Sequence, residues 1–227
     1  MAARNNAEWC DAFCRTHGVL GRFRTDAWFS PVRTPLFYPD AVSLVPEIDL
    51  EQLMAAIDTG EGCSVKDSFA RLDLRVAGFQ PLFRAEWLVR DSPEAGATDR
   101  RWSALTSETQ LAEWEAAWAE SPEGSGFFRP ALLADATVGV LAAFDGDRVV
   151  AGAVANRSAT AIGLSNVFDT GGDLESAWFC GASAARARWG HMPIVSYDSG
   201  PSLEAAHDAG YCSIGDLVVW IKPPSSP

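Results

Sequence analysis

The order of hydrophobic patterns after Val138 constrains this chain more than any other feature. The segment VGVLAAFDGDRVVAGAVANRSATAIGLSNVF reads as three strands. Asp145-Gly146-Asp147 joins the first two as a hairpin, because Asp-Gly supplies the backbone that a tight turn needs. Asn156-Arg157-Ser158 marks the next turn. Thr170-Gly171-Gly172-Asp173 then leads into an alanine-rich helix running through Arg188. A strand over Pro193 to Tyr197, a helix over Pro201 to Ala209 and a strand over Gly215 to Lys222 complete the order β-β-β-α-β-α-β. That order specifies an α/β fold, with helices packed on a sheet.

The first half is less regular. A helix is predicted over Ala7 to Thr16, ended by Gly18, and a short buried strand over Ala41 to Val45. Asp49 opens a helix with Gln52 completing a capping box, and Leu50, Leu53, Met54 and Ile57 mark its buried face. VKDSFARLDLRVAGF predicts a further helix, with Phe69, Leu72 and Val76 on one face and Ala77-Gly78-Phe79 closing it before the strand QPLFRAEWLVR. Ser92 to Arg101, charged and carrying Pro and Gly, is the linker, which gives domains of 1–91 and 92–227. Ser107, with Gln110, begins another helix whose Leu111, Trp114 and Trp118 form a core stripe. The halves echo each other: Ala77-Gly78-Phe79 and Ala209-Gly210-Tyr211 each precede a strand, with Trp87 nine residues after Gly78 and Trp220 ten after Gly210. The first half therefore reads as a truncated copy of the second.

Thirty acidic against eighteen basic residues give a net charge of -12, which makes nucleic acid and anionic membrane poor partners. The longest apolar runs, such as Val138 to Phe144, fall far short of the ~20 residues a bilayer crossing needs. The N-terminus meets acidic residues at once and lacks a signal-like apolar core, so the expectation is a cytoplasmic protein. Five scattered cysteines predict reduced, mostly buried thiols rather than a disulfide framework, and no metal-ligand spacing is present.

The glycine turn Gly171-Gly172 stands where many α/β proteins hold a phosphate, because helix N-terminal amides and the helix dipole favour an anion. Here the turn carries Asp169, Asp173 and Glu175, and no basic residue occurs from Ala159 to Ala185. Asp173 reads as an N-cap and Glu175 as a favourable first-turn acid. The amides from Gly171 to Leu174 would still suit a phosphate.

From Val138 to Lys222 the chain resembles the GCN5-related N-acetyltransferase (GNAT) superfamily. The matching pieces are the DGDRVVAGAVA hairpin, GLSNVF as a splayed strand, the TGGD turn, PIVSYDSG as the next strand and HDAGY before the last. The resemblance implies a mixed, mostly antiparallel central sheet flanked by helices, with a partial N-terminal repeat. It also implies acetyl-CoA or another acyl-CoA as cofactor, held by Asn166, Val167, Phe168, Gly171, Gly172, Asp173, Leu174 and Ser199. The sequence departs from the family pattern at three points. Phe168 stands where an arginine or glutamine precedes the glycines, Ala206 stands at the tyrosine general-acid position, and Ser199 replaces the usual asparagine.

Proton transfer is then left to Asp198 and Tyr197 at a strand end, to His207, and to Glu86 through the echo. Trp28, Tyr38 and Trp87 would line a substrate pocket, although core packing explains each singly. Two functions follow: acyl transfer from acyl-CoA to the amine of a small molecule, or a GNAT-like fold without that chemistry that binds a small molecule or reuses the cleft. A homodimer is compatible with either.

Overall fold

The computed structural model describes residues 1–92, 101–121 and 125–224, without the side chain of Arg101. Most of the expected linker, 93–100, lies outside the described residues. The elements in chain order are α1 (Ala2–Thr16), β1 (Arg22–Phe23), β2 (Ala27–Phe29), β3 (Ala41–Ser43), α2 (Leu50–Met54), β4 (Ser64–Asp67) and β5 (Gln80–Arg90). There follow β6 (Arg101–Ala104), α3 (Glu108–Trp118), β7 (Val138–Asp145), β8 (Arg148–Arg157) and β9 (Ile162–Asp169). Helix α4 (Leu174–Trp189), β10 (Ile194–Asp198), α5 (Gly200–Asp208) and β11 (Cys212–Ile221) complete the chain. Short 3-10 turns occur at Leu74–Ala77 and Pro130–Ala134.

The chain divides into two compact units, one of Met1–Asn5 with Leu88–Ser213, the other of Asn6–Trp87 with Ile214–Pro227. In the larger unit the strand order is β10-β9-β8-β7-β6. Only β9 and β10 pair in parallel; the rest of that ladder is antiparallel. Helices α4 and α5 cover a core built from Leu141, Ala153, Ile162, Leu164, Trp178 and Tyr211. The alanines of α4 serve close packing, since Ala177, Ala182 and Ala185 are buried. In the smaller unit the order is β1-β2-β3-β4-β11, with only β3 and β4 parallel. Its core holds Phe29, Leu53, Val65, Leu74 and Trp220. Mixed sheets with helices against them are the architecture expected from the element order.

One expected helix is absent. Val65 to Asp67 belongs to β4, paired with β3 and β11, and the chain then loops to the 3-10 turn at Leu74–Ala77. Buried Asp67 enforces the loop by accepting from Phe69 N at 3.2 Å and Leu72 N at 2.8 Å. Val76, expected on the buried face, is 82% exposed. The glycine closing this segment is as anticipated: Gly78 sits at φ 78°, and Phe79 N returns to Leu74 O at 3.1 Å. Gly210, at φ 85°, repeats that geometry, with Tyr211 N bonded to Ala206 O at 3.0 Å.

Candidate functional site

In the larger unit β9 is paired on both sides only at its beginning. Its register with β10 runs from Ile162↔Ile194 to Gly163↔Val195, and Ser196 Oγ then donates to Leu164 O at 2.6 Å. Beyond that point the two strands part, while β9 stays paired with β8 as far as Asp169. The ladder with β8 skips from Ser165↔Val154 to Phe168↔Gly152, so Asn166 and Val167 stand opposite Ala153 alone. This is a β-bulge, which bends and twists its strand, and it places Asn166 at φ 52°. Parallel strands that separate at their carboxyl ends leave a backbone-lined opening, a usual place for a ligand in α/β sheets.

The residues expected at this opening divide by face. Val167 packs into the core beneath α4, as does Leu174 from the helix's first turn. Phe168 meets Trp114 of α3 edge-on at 5.3 Å. That packing requires Gly152, where a Cβ would lie 2.2 Å from Trp114 Nε1 and 2.6 Å from Phe168 Cε1. Nearby, Gly163 accommodates Asn5, which donates to Asn156 O and Ala161 O at 3.3 Å and ties the start of α1 to β8 and β9.

Asp198 closes β10 and sits before α5. Its Oδ1 accepts from Ser199 N at 2.8 Å, and its Oδ2 accepts from Ser202 Oγ at 2.8 Å. Ser202 Oγ in turn accepts from Trp178 Nε1 at 3.3 Å, which continues the chain into the core. Burial raises the Asp198 pKa above the ordinary carboxylate value, and these two hydrogen bonds only partly oppose it. Tyr197 beside it is half-buried. Ser199 is the N-cap of α5 but makes no capping bond with its side chain.

His207 is not brought to Asp198. It lies in the last turn of α5, about 10 Å along the helix from Gly200 at 1.5 Å per residue, with Nε2 3.0 Å from Ser213 Oγ. Ala206 is fully buried, and Tyr211, the next phenol along the chain, is buried with its pKa pushed up by desolvation. Glu86, Trp28, Tyr38 and Trp87 belong to the other unit. Trp28 is a core residue whose Nε1 donates to Asp11 Oδ1 at 3.0 Å, and Trp87 is buried with Nε1 on Ser68 O at 2.7 Å. Tyr38 stacks on Phe13 at 3.8 Å, and Glu86 is half-buried on β5. Trp28 and Trp87 thus pack in the core, the alternative that the sequence allowed for each singly, with both N–H groups on internal acceptors.

The glycine turn has a geometry that the sequence reading did not anticipate. Asp169 Oδ1 accepts from Gly171 N at 2.7 Å and from Asp173 N at 3.2 Å, and Gly172 N bonds to Asp169 O at 3.2 Å. Thr170 N bonds to Val150 O at 2.9 Å, and Ser176 N to the N-cap carboxylate of Asp173 at 3.1 Å. The amides of Gly171, Gly172 and Asp173 are therefore already engaged within the protein. The cradle that a CoA diphosphate would need is filled by a carboxylate, with Asp173 and Glu175 adding like charge. The turn as it stands does not fit the diphosphate. The signal was in the sequence, since Asp-Thr-Gly is the pattern of an Asx turn, in which the aspartate bonds the amide two residues on.

A groove of about 900 Å³ runs from the end of α3 across the start of β8 to the end of β9. Trp118 and Phe168 supply its aromatic wall, and Glu113, Glu120, Asp147 and Asp169 outnumber Arg148 in its charge. Among the described residues no group of three His, Cys, Asp or Glu could hold a metal, and no helix is long and apolar enough to cross a membrane.

The architecture is that of the GNAT fold. A GCN5-related N-acetyltransferase from Kribbella flavida superposes with a TM-score of 0.68 at 13% identity, over 99% of this chain and 96% of that one. A putative GNAT-family acetyltransferase from Novosphingobium aromaticivorans gives 0.59 at 14% identity over 99% of both chains. A GNAT-family acetyltransferase from Colwellia psychrerythraea gives 0.52 at 13%, over 88% of this chain and 83% of that one. No protein-family model matches the sequence, and no curated protein matches it. At such identities the likeness is one of fold.

Proposed function

We propose that this chain is an acyltransferase that moves an acyl group from a thioester donor, acetyl-CoA or another acyl-CoA, to the amine of a small molecule. The observation that carries the reading is the parting of β9 and β10 after Gly163 and Val195, with the bulge at Asn166 on one side and Asp198 on the other. Two strand edges held apart can align a donor and an acceptor, which supplies much of the rate in a reaction between two bound molecules. Asp198 is the residue we assign to the proton that the amine loses. Its raised pKa moves it toward the range in which a carboxylate acts as a general base near neutral pH. Tyr197, the preceding residue of β10, is the residue we assign to the proton returned to the leaving thiolate. The groove bounded by Trp118 and Phe168 suits a cationic amine, because aromatic faces and surplus carboxylates both favour positive charge. The matching glycine turns at Gly78 and Gly210 support reading 1–91 as a truncated copy of 92–227.

A second reading has its own observation. Asp169 fills the glycine turn, which favours a GNAT-fold protein that binds a small molecule without acyl-CoA chemistry. Thermal titration with acetyl-CoA and with S-acetylpantetheine separates the two. A ligand at 100 times its dissociation constant adds roughly 2.7 kcal/mol, or roughly 5–11 °C for a chain of this size. A saturable shift with either thioester supports acyl transfer. No shift with either at millimolar concentration overturns it in favour of the second reading.

A further inference from the structure

We infer that Asp169 is an internal occupant of the anion cradle, so that the chain recognises a donor by its thioester arm and not by its diphosphate. The geometry is that of an anion held by the amides of the turn that leads into α4, except that the anion is covalently attached. One carboxylate oxygen receives Gly171 N at 2.7 Å and Asp173 N at 3.2 Å, two residues and four residues ahead. Gly171 eases this approach, because a Cβ there would stand 3.1 Å from the same oxygen and push it back by a few tenths of an ångström. Gly172, at φ 86°, turns the chain so that its own amide reaches Asp169 O. A diphosphate entering from solvent would have to displace a tethered carboxylate and then lie beside it, with Asp173 and Glu175 close in sequence and no basic residue from Ala159 to Ala185. An intramolecular ligand competes at a high effective concentration, and its charge opposes the incoming one. The donor-specificity part of this inference rests on the acyltransferase reading; the occupancy of the turn does not.

The test uses the full chain labelled with ¹⁵N and titrated with inorganic pyrophosphate, with the amides of Gly171, Gly172 and Asp173 observed. The wild type is expected to give no saturable change at these amides up to 10 mM, on the order of the weak end of anion binding. Asp169→Ala and Asp169→Asn should each gain a saturable response, with affinity at least about tenfold above the wild type. Asp169→Asn retains a neutral acceptor for the turn, so it decides the matter if hydrogen exchange shows that the alanine variant has melted the turn. Saturable binding by the wild type at these amides, or no gain in a variant whose turn is intact, overturns the inference. In parallel, the wild type should bind S-acetylpantetheine and acetyl-CoA within about twofold of each other, whereas Asp169→Asn should favour acetyl-CoA. If the wild type binds neither thioester, acyl transfer fails while the pyrophosphate titration still decides the role of Asp169.

Discussion

Replacing Glu115 should loosen the wall of the aromatic groove, and the size of the effect follows from three hydrogen bonds. Glu115 is 1% exposed on α3; its Oε1 accepts from Ser125 Oγ at 2.6 Å and Phe127 N at 2.9 Å, and its Oε2 from Phe128 N at 3.0 Å. The segment held this way presents Phe127 to Trp118, stacked at 6.1 Å, and Phe128 to Trp114, edge-on at 4.9 Å. Glu115→Ala leaves two backbone amides without their acceptor, at about 1–3 kcal/mol each, and removes the bond from Ser125, for a loss of roughly 3–5 kcal/mol. In thermal unfolding that is roughly 6–20 °C. Glu115→Gln keeps one acceptor but turns an NH₂ toward a donor, and should fall about midway. Burial works to raise the pKa of Glu115, yet the donated hydrogen bonds outweigh it and hold the carboxyl below its usual value. A depressed carboxyl stabilises the fold fully above the unfolded pKa near 4.5, and that contribution disappears as pH falls through the folded value. The stability gap between wild type and Glu115→Gln should accordingly be constant from pH 6 to 8 and narrow below about pH 4. Urea unfolding followed by tryptophan fluorescence measures it. An alanine variant losing under about 1 kcal/mol, or a gap that does not narrow in acid, would refute the reasoning.

Gly152→Ala should cost about 1–3 kcal/mol by overpacking, because the new methyl meets Trp114 and Phe168 at 2.2 and 2.6 Å; unchanged urea stability would contradict that packing. Asp198→Asn should lower turnover by roughly 10²–10⁴, and the acidic limb of the wild-type rate should lie above the ordinary carboxylate pKa of 3.8 because burial raises it. The raised pKa also means that Asp198 stabilises most at low pH and loses that contribution as pH rises through its folded value, so Asp198→Asn should remain folded at neutral pH. Burial pushes the Cys10 thiol up to about 11 and Cys63 up to about 12, and raises Cys14 further, while Cys212 is exposed. A thiol reagent at pH 8 should then modify only Cys212 rapidly in the native protein; a second fast thiol would show that one of the buried ones is accessible.

The second half of the fold was legible because its signals are local. The Asp145-Gly146-Asp147 hairpin, the Asp173 cap and the glycine at 210 each act within a few residues, and all stand where the sequence puts them. The helix expected around Phe69 and Val76 failed because its spacing is helical by coincidence. Ladder pairing of Val65 with β3 and β11, and the hydrogen bonds to Asp67, are long-range or buried effects that outweigh periodicity. The candidate site was legible in part. The position of Asp198 could be read from the strand end, but its link to Ser202 and Trp178 depends on how α4 and α5 pack. For Trp28 the sequence left a pocket and core packing both open, and the hydrogen bond to Asp11 that accompanies its burial is a contact no local pattern announces. At Asp169 the Asx-turn bond to Gly171 N was legible in the Asp-Thr-Gly pattern, whereas the second bond, from Asp173 N to the same oxygen, appears only in three dimensions.

The most direct test of the account is a mass-spectrometric assay of acyl transfer from acetyl-CoA and from S-acetylpantetheine to a panel of cationic small-molecule amines, run side by side for the wild type and Asp198→Asn. The account predicts an acylated amine from both donors at similar rates, with the product falling at least about a hundredfold in the variant. Absence of product from every amine with either donor, or equal product from the variant, would contradict it.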